Sequence, residues 1–121
     1  MSKRILVVED QEDNRRIMRD LLASVGYEIV EAVTGEDGVR IAETHAPDLI
    51  LMDIQLPGLD GYEATRRIKA NPSLGHIPII AVTSYALSGD DAKAVEAGCD
   101  AYVSKPYSPR ALLAKIREFL S

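Results

Sequence analysis

The run Leu49-Ile50-Leu51-Met52-Asp53 sets four large apolar residues in succession and closes them with a carboxylate. Five residues is strand length, and an unbroken apolar run is the pattern of a strand covered on both faces. An ionised group at the end of such a strand is costly unless something answers its charge, so Asp53 is read first as a functional residue. Outward from it, short apolar and β-branched runs recur at Ile5 to Val8, Glu28 to Ala32, Ile77 to Val82 and Ala101 to Ser104. Between the runs the spacing turns helical. Ile17, Met18, Leu21, Leu22 and Val25 make one apolar face, as do Leu112, Leu113, Ile116, Phe119 and Leu120. Regular alternation of strand and helix predicts a parallel sheet with helices on both faces, a small doubly wound α/β fold of five strands and five helices.

Helix boundaries are marked as well. Thr34, Asp60 and Ser88 each precede an acidic residue by three positions, at Asp37, Glu63 and Asp91, in variants of the capping box. Ser108-Pro109 supplies an N-cap followed by proline at the first helical position. Gly26 and Gly98 stand where the first and fourth helices should stop. The fourth helix, Ser88 to Ala97, offers only Val95 as a large aliphatic anchor.

The 121 residues amount to one domain, 1–121, and 46% of them are hydrophobic, enough for a core of its own. Fourteen Lys and Arg against nineteen Asp and Glu leave a formal charge of -5, the wrong sign for gripping nucleic-acid phosphates. A lone cysteine, Cys99, cannot close an internal disulfide, so no oxidising compartment is required. No apolar run approaches the roughly 18 residues of a membrane span, nor does the N-terminal strand resemble a signal peptide. The expectation is a cytoplasmic protein without membrane insertion, direct nucleic-acid binding or an output domain.

Open α/β sheets carry their sites beyond the carboxyl ends of the strands. Here those ends hold Glu9-Asp10, Asp53, Thr83-Ser84 and Lys105-Pro106. Taken singly, Glu9 and Asp10 read equally well as acidic residues at a helix start, Thr83 as a strand former and Lys105 as a surface lysine. Their joint placement is what points to chemistry. Carboxylates brought close repel unless a cation neutralises them, and an all-oxygen ligand set without His or Cys favours Mg²⁺ or a similar hard ion over zinc. A carboxylate beside a metal, with an ammonium and a hydroxyl at hand, suits phosphoryl chemistry. Nucleotide cradles are missing: there is no G-x-x-x-x-G-K-[ST], and the loop Gln11-Glu12-Asp13-Asn14 contains no glycine.

The motifs V-V-E-D at 7 to 10, L-I-L-M-D-I-Q-L-P-G-L-D-G at 49 to 61, A-V-T-S at 81 to 84 and Y-V-S-K-P at 102 to 106 resemble, over essentially the whole chain, the receiver domain of two-component response regulators. Tyr85 to Asp91 and Ala97 to Tyr102 narrow the likeness to stand-alone receivers of the DivK type. The resemblance implies a flavodoxin-like receiver fold with strand order 2-1-3-4-5. It implies that Asp53 accepts a phosphoryl group from a phosphohistidine on a sensor histidine kinase or a histidine phosphotransfer protein. Glu9, Asp10 and Asp53 would hold Mg²⁺ with the backbone carbonyl of Gln55. Thr83 would be the switch hydroxyl, Tyr102 the switch aromatic, Lys105 the phosphate-binding lysine and Pro106 a cis-proline. Glu9 departs from the pattern, since many receivers carry a second aspartate there. Such a protein takes part in its own phosphoryl transfer and slow dephosphorylation rather than turning over a substrate as an enzyme does.

Two other readings compete. Haloacid-dehalogenase-like phosphatases also use an aspartyl nucleophile, Mg²⁺, a hydroxyl and a lysine, but their D-x-D is here Asp53-Ile54-Gln55 and there is no room for a cap domain. A pseudo-receiver, a binding module that is never phosphorylated, would lack part of the site set. Partner surfaces are expected in two places. Arg15 and Arg19 on the first helix resemble the face that docks the histidine-bearing bundle, the alternative being an ordinary solvated face. The fourth helix, fifth strand and fifth helix, around Asp90, Lys93, Tyr102 and Tyr107, would carry the output to a downstream protein.

Overall fold

In chain order the elements of the computed structural model are β1 (Arg4–Val8), α1 (Glu12–Ser24), β2 (Glu28–Ala32), α2 (Gly35–His45), β3 (Leu49–Asp53), α3 (Gly61–Ala70), β4 (Ile79–Thr83), α4 (Asp90–Ala97), β5 (Ala101–Ser104) and α5 (Pro109–Leu120). The structure describes residues 3–83, 90–105 and 107–120. The expected positions Ser84, Tyr85, Ser88 and Pro106 lie outside the described residues, and with them the third capping box and the cis-proline.

All five strands pair in parallel in the order β2-β1-β3-β4-β5, the doubly wound arrangement anticipated from the alternation. Successive side chains of a strand face opposite ways, and this splits the core in two. Leu6, Val8, Ile50, Met52, Ile79 and Ala81 pack with Ala42, Ala64, Ile68 and Ala94 of α2, α3 and α4. Ile5, Val7, Leu49, Leu51, Ile80 and Val82 pack with Met18, Leu22, Leu112 and Ile116 of α1 and α5. The central strands β3 and β4 are buried throughout, whereas the edge strands β2 and β5 keep partly exposed positions because each lacks a neighbour on one side.

The caps are as the sequence has them. Thr34 Oγ1 accepts from Asp37 N at 3.0 Å and Asp60 Oδ1 from Glu63 N at 2.9 Å. Gly26 and Gly98 take φ of +91° and +106°, the left-handed geometry that follows a helix. Two expectations need correction. β4 begins at Ile79 rather than Ile77, because Ile77 N closes a turn onto Leu74 O and Pro78 has no N–H to give a ladder. Val95 does not anchor α4 but stands 71% exposed; among the described side chains of that helix the buried ones are Ala94 and Ala97.

Candidate functional site

Parallel strands release their chain ends on one edge of the sheet, and the β1, β3 and β5 ends meet there. β1 runs out into Glu9 and Asp10, and Glu9 N still donates to Ala32 O of β2 at 3.0 Å. β3 ends on Asp53, only 4% exposed. One carboxylate oxygen from each of Glu9, Asp10 and Asp53 lies within 4.8 Å of the others. Lys105, just past β5, places Nζ 3.0 Å from Glu9 Oε1 and 3.6 Å from Asp53 Oδ2.

The turn after β3 is drawn tight around Asp53. Gly61 opens α3 directly over it, and a Cβ at Gly61 would stand 2.3 Å from the Asp53 carbonyl oxygen, so no side chain fits. Gln55 N donates to Asp53 Oδ1 at 3.1 Å, and the Gln55 amide donates from Nε2 to Thr83 Oγ1 at 3.0 Å. The hydroxyl at the β4 end is thereby tied to the turn that carries Asp53. Tyr102, on the neighbouring strand, is 38% exposed and so is not a core aromatic. Beside it, Tyr102, Ser104, Tyr107, Ala111 and Lys115 line a groove of about 440 Å³ on the β5–α5 flank, away from the carboxylates.

The electrostatics of the cluster are uneven. Burial, and then the Glu9 carboxylate, push Asp53 up to about 7. Burial also pushes Glu9 up, but the Gln11 N–H, the Lys105 ammonium and a hydrogen bond with Asp53 outweigh it and leave Glu9 below the usual carboxylate range. Lys105 is held above its ordinary value: burial opposes its charge, and the Glu9 hydrogen bond and the Asp53 charge overcome that. A single ammonium thus answers two buried carboxylates. The remaining negative charge, an all-oxygen donor set and one partly open acid, Asp10, suit a small hard divalent cation, and the three acids fit a Mg²⁺ site.

Glu9, Asp10, Asp53, Gln55, Thr83 and Lys105 are therefore brought together, and Tyr102 lies on the adjoining strand. The first-helix arginines both make contacts within the domain. Arg19 forks onto Glu31 of β2 at 2.8 and 3.0 Å, and Arg15 meets the same carboxylate at 3.3 Å. Arg15 Nη1 also donates to the carbonyls of Glu9 at 2.9 Å and Asp10 at 3.2 Å. Two contacts have no signature in the sequence. The Gln55 side chain and the inward-turned Arg15 find partners 28 and 5–6 positions away that no local pattern links to them.

Residues 5–117 match the model of the response regulator receiver domain. This chain belongs to the receiver domain family of response regulators. The receiver is 43% identical over 120 residues to the polar-differentiation response regulator DivK of Brucella ovis, covering 99% of this chain and 98% of that one. It stands equally close to the DivK of Brucella melitensis. Among solved structures, the receiver domain of the sensor histidine kinase PA1611 from Pseudomonas aeruginosa, with a magnesium ion coordinated in its active site cleft, superposes with a TM-score of 0.93 at 38% identity, over 99% of this chain and 98% of that one. The chemotaxis protein CheY4 of Vibrio cholerae shares the fold, at a TM-score of 0.92, 22% identity and 98% and 99% coverage. The receiver is thus a DivK-like domain of two-component signalling, a family of signalling proteins. Among the described residues no helix is long and apolar enough to cross a membrane.

Proposed function

We propose that Asp53 is the phosphoacceptor of a two-component phosphorelay, loaded from a phosphohistidine on a sensor histidine kinase or a histidine phosphotransfer protein. The observation that carries this reading is the convergence of Glu9, Asp10 and Asp53 with Lys105 at the mouth of a buried sheet. A carboxylate oxygen of Asp53 attacks phosphorus, an O–P bond forms as the P–N bond breaks, and the electron pair departs on the imidazole. Glu9, Asp10, Asp53 and the Gln55 backbone carbonyl would hold Mg²⁺, which when bound neutralises the oxyanions that otherwise repel the attacking carboxylate. Lys105 meets the added phosphoryl charge, roughly -1.5 to -2 in comparable adducts at neutral pH. Thr83 exchanges its Gln55 contact for a phosphoryl oxygen, and Tyr102 turns from its exposed position into the space Thr83 leaves. That local event biases the face of α4, β5 and α5, where Lys93 is exposed and Tyr107 borders the groove. The expected Asp90 side chain lies outside the described residues.

The test is the intact mass after incubation with acetyl phosphate and Mg²⁺. One phosphoryl adduct on the wild type and none on Asp53→Asn is the expected result. Labelling that survives Asp53→Asn but is lost in Asp10→Asn reverses the two roles. Release of many phosphates per protein from a small phosphomonoester would instead mark a phosphatase of the haloacid-dehalogenase kind, and absence of both Mg²⁺ binding and adduct a pseudo-receiver.

A further inference from the structure

The carbonyls of Glu9 and Asp10 leave the sheet at the end of β1, beyond the last residue that pairs with β2. Backbone acceptors in such a position need partners. Arg15, in the first turns of α1, supplies both from one nitrogen, at 2.9 and 3.2 Å, and its side chain is only 14% exposed. Its Nε faces Glu31 at 3.3 Å, and Glu31 is in turn fixed by the fork of Arg19. Glu31 sits on β2 opposite Val7, so the chain of contacts runs from the sheet through Glu31 and Arg15 to the loop that presents the two acids. A planar guanidinium can serve a carboxylate and two carbonyls at once, which a lysine ammonium does less well.

We infer that Arg15 is a positioning residue for the acidic pair: it clamps the Glu9 and Asp10 carbonyls against Glu31 and so holds their carboxylates in place for the cation and the phosphoryl group. The inference rests on the phosphoacceptor reading for its purpose, while the clamp itself concerns the metal-free loop. Fixing a carbonyl fixes the ψ of its residue and, with it, the direction of the next peptide. Losing the clamp lets Glu9 and Asp10 rotate toward the repulsion-free separation that three neighbouring carboxylates favour.

The experiment compares wild type with Arg15→Ala, Arg15→Lys and Glu31→Gln. Three readouts are taken: amide exchange of Gln11 in the metal-free protein, Mg²⁺ affinity by titration, and labelling rates with acetyl phosphate and with a phosphohistidine protein. Gln11 reports the loop because its N–H donates to Glu9 Oε2 at 3.0 Å. Outer partners of metal ligands typically alter affinity by about 10–100-fold. Arg15→Ala should weaken Mg²⁺ in that range, speed exchange at Gln11 but not in α5, and slow labelling from both donors alike. Arg15→Lys and Glu31→Gln should show smaller changes of the same kind, and they carry the test if Arg15→Ala does not fold. Unchanged Mg²⁺ affinity and Gln11 exchange overturn the proposal, as does a loss confined to the protein donor, which would make Arg15 a docking residue. If the wild type itself takes no label, the phosphoacceptor reading fails, and the Gln11 and Mg²⁺ measurements still decide the clamp.

Discussion

Asp53 occupies a place that penalises its own charge: it is buried, with Glu9 and Asp10 oxygens within 4.8 Å, and Lys105 lies nearer to Glu9 than to it. Without a cation, Asp53→Asn should therefore be more stable than the wild type by about 1–2 kcal/mol, the scale of an imperfectly answered buried group. Melting with and without Mg²⁺ checks this: the ion should raise the wild-type midpoint and barely move that of the variant. Equal midpoints without Mg²⁺ would mean that Lys105 already balances the pocket. Glu31 behaves in the opposite sense. The Arg19 hydrogen bonds hold its carboxyl below the usual range although burial opposes them. A depressed carboxyl adds stability above its unfolded value that disappears as pH falls through the folded one. The wild type should accordingly exceed Glu31→Gln in stability at pH 6 by a modest margin, as Arg19 is 41% exposed and screened, and the gap should close toward pH 3. A gap independent of pH would assign the effect to packing. Asp53 was legible because a charge closing an apolar strand stands out in one dimension. The turned-in Arg15 was not, since a polar side chain near a helix start has the same signature whether it meets solvent or a carbonyl.

The helix caps and the apolar runs of the strands made the elements readable, because both are set by residues within a few positions of one another. Thr34→Ala should cost about 1 kcal/mol, the ordinary worth of an N-cap hydroxyl, measured by denaturant midpoint at unchanged slope. Gly61→Ala is a different case. Its Cβ would collide with the backbone of Asp53 and Ile54 rather than with a yielding side chain, so it should both destabilise and weaken Mg²⁺ binding. A variant with wild-type Mg²⁺ affinity would show that the β3 end can shift without disturbing the pocket. What the pattern could not show is how a helix turns about its axis. Val95 read as the anchor of α4, yet the sheet takes the two alanines and leaves Val95 in water. A buried methyl contributes about 0.8 kcal/mol, against roughly 1.5–3 for a full leucine or isoleucine side chain such as Leu112 and Ile116 of α5. Amide exchange in Lys93–Ala97 should consequently be faster than in Leu112–Phe119, and equal protection would place the anchoring of α4 elsewhere.

Across the whole molecule, the two faces of the sheet are covered unequally, and under the proposed phosphorylation of Asp53 the imbalance favours a response at one edge. α1 and α5 bury large side chains on one face; on the other, α3 buries Ala64 and Ile68, α2 buries Ala42 with Val39 and Ile41 partly buried, and among its described residues α4 buries Ala94 and Ala97. Thr83 lies at the end of β4, whose register neighbours on the outer side are Ala101 to Ser104 of β5. A change at the Thr83 hydroxyl would therefore pass first to the neighbouring strand β5 and to Tyr102, at the edge of the sheet beside the α5 groove. Adding acetyl phosphate and Mg²⁺ should shift backbone resonances at Thr83, along β5 and in α4, and lower the solvent exposure of Tyr102, while Arg40 to Thr44 of α2 stay still. Lys93→Ala and Tyr107→Ala, on the responding face but outside the acidic cluster, should label with acetyl phosphate at the wild-type rate. Shifts of equal size in α2, or a Tyr102 ring that keeps its exposure when Asp53 is phosphorylated, would mean that the charge is absorbed within the pocket. In that event any partner that recognises the phosphorylated form would have to read the phosphoryl site itself.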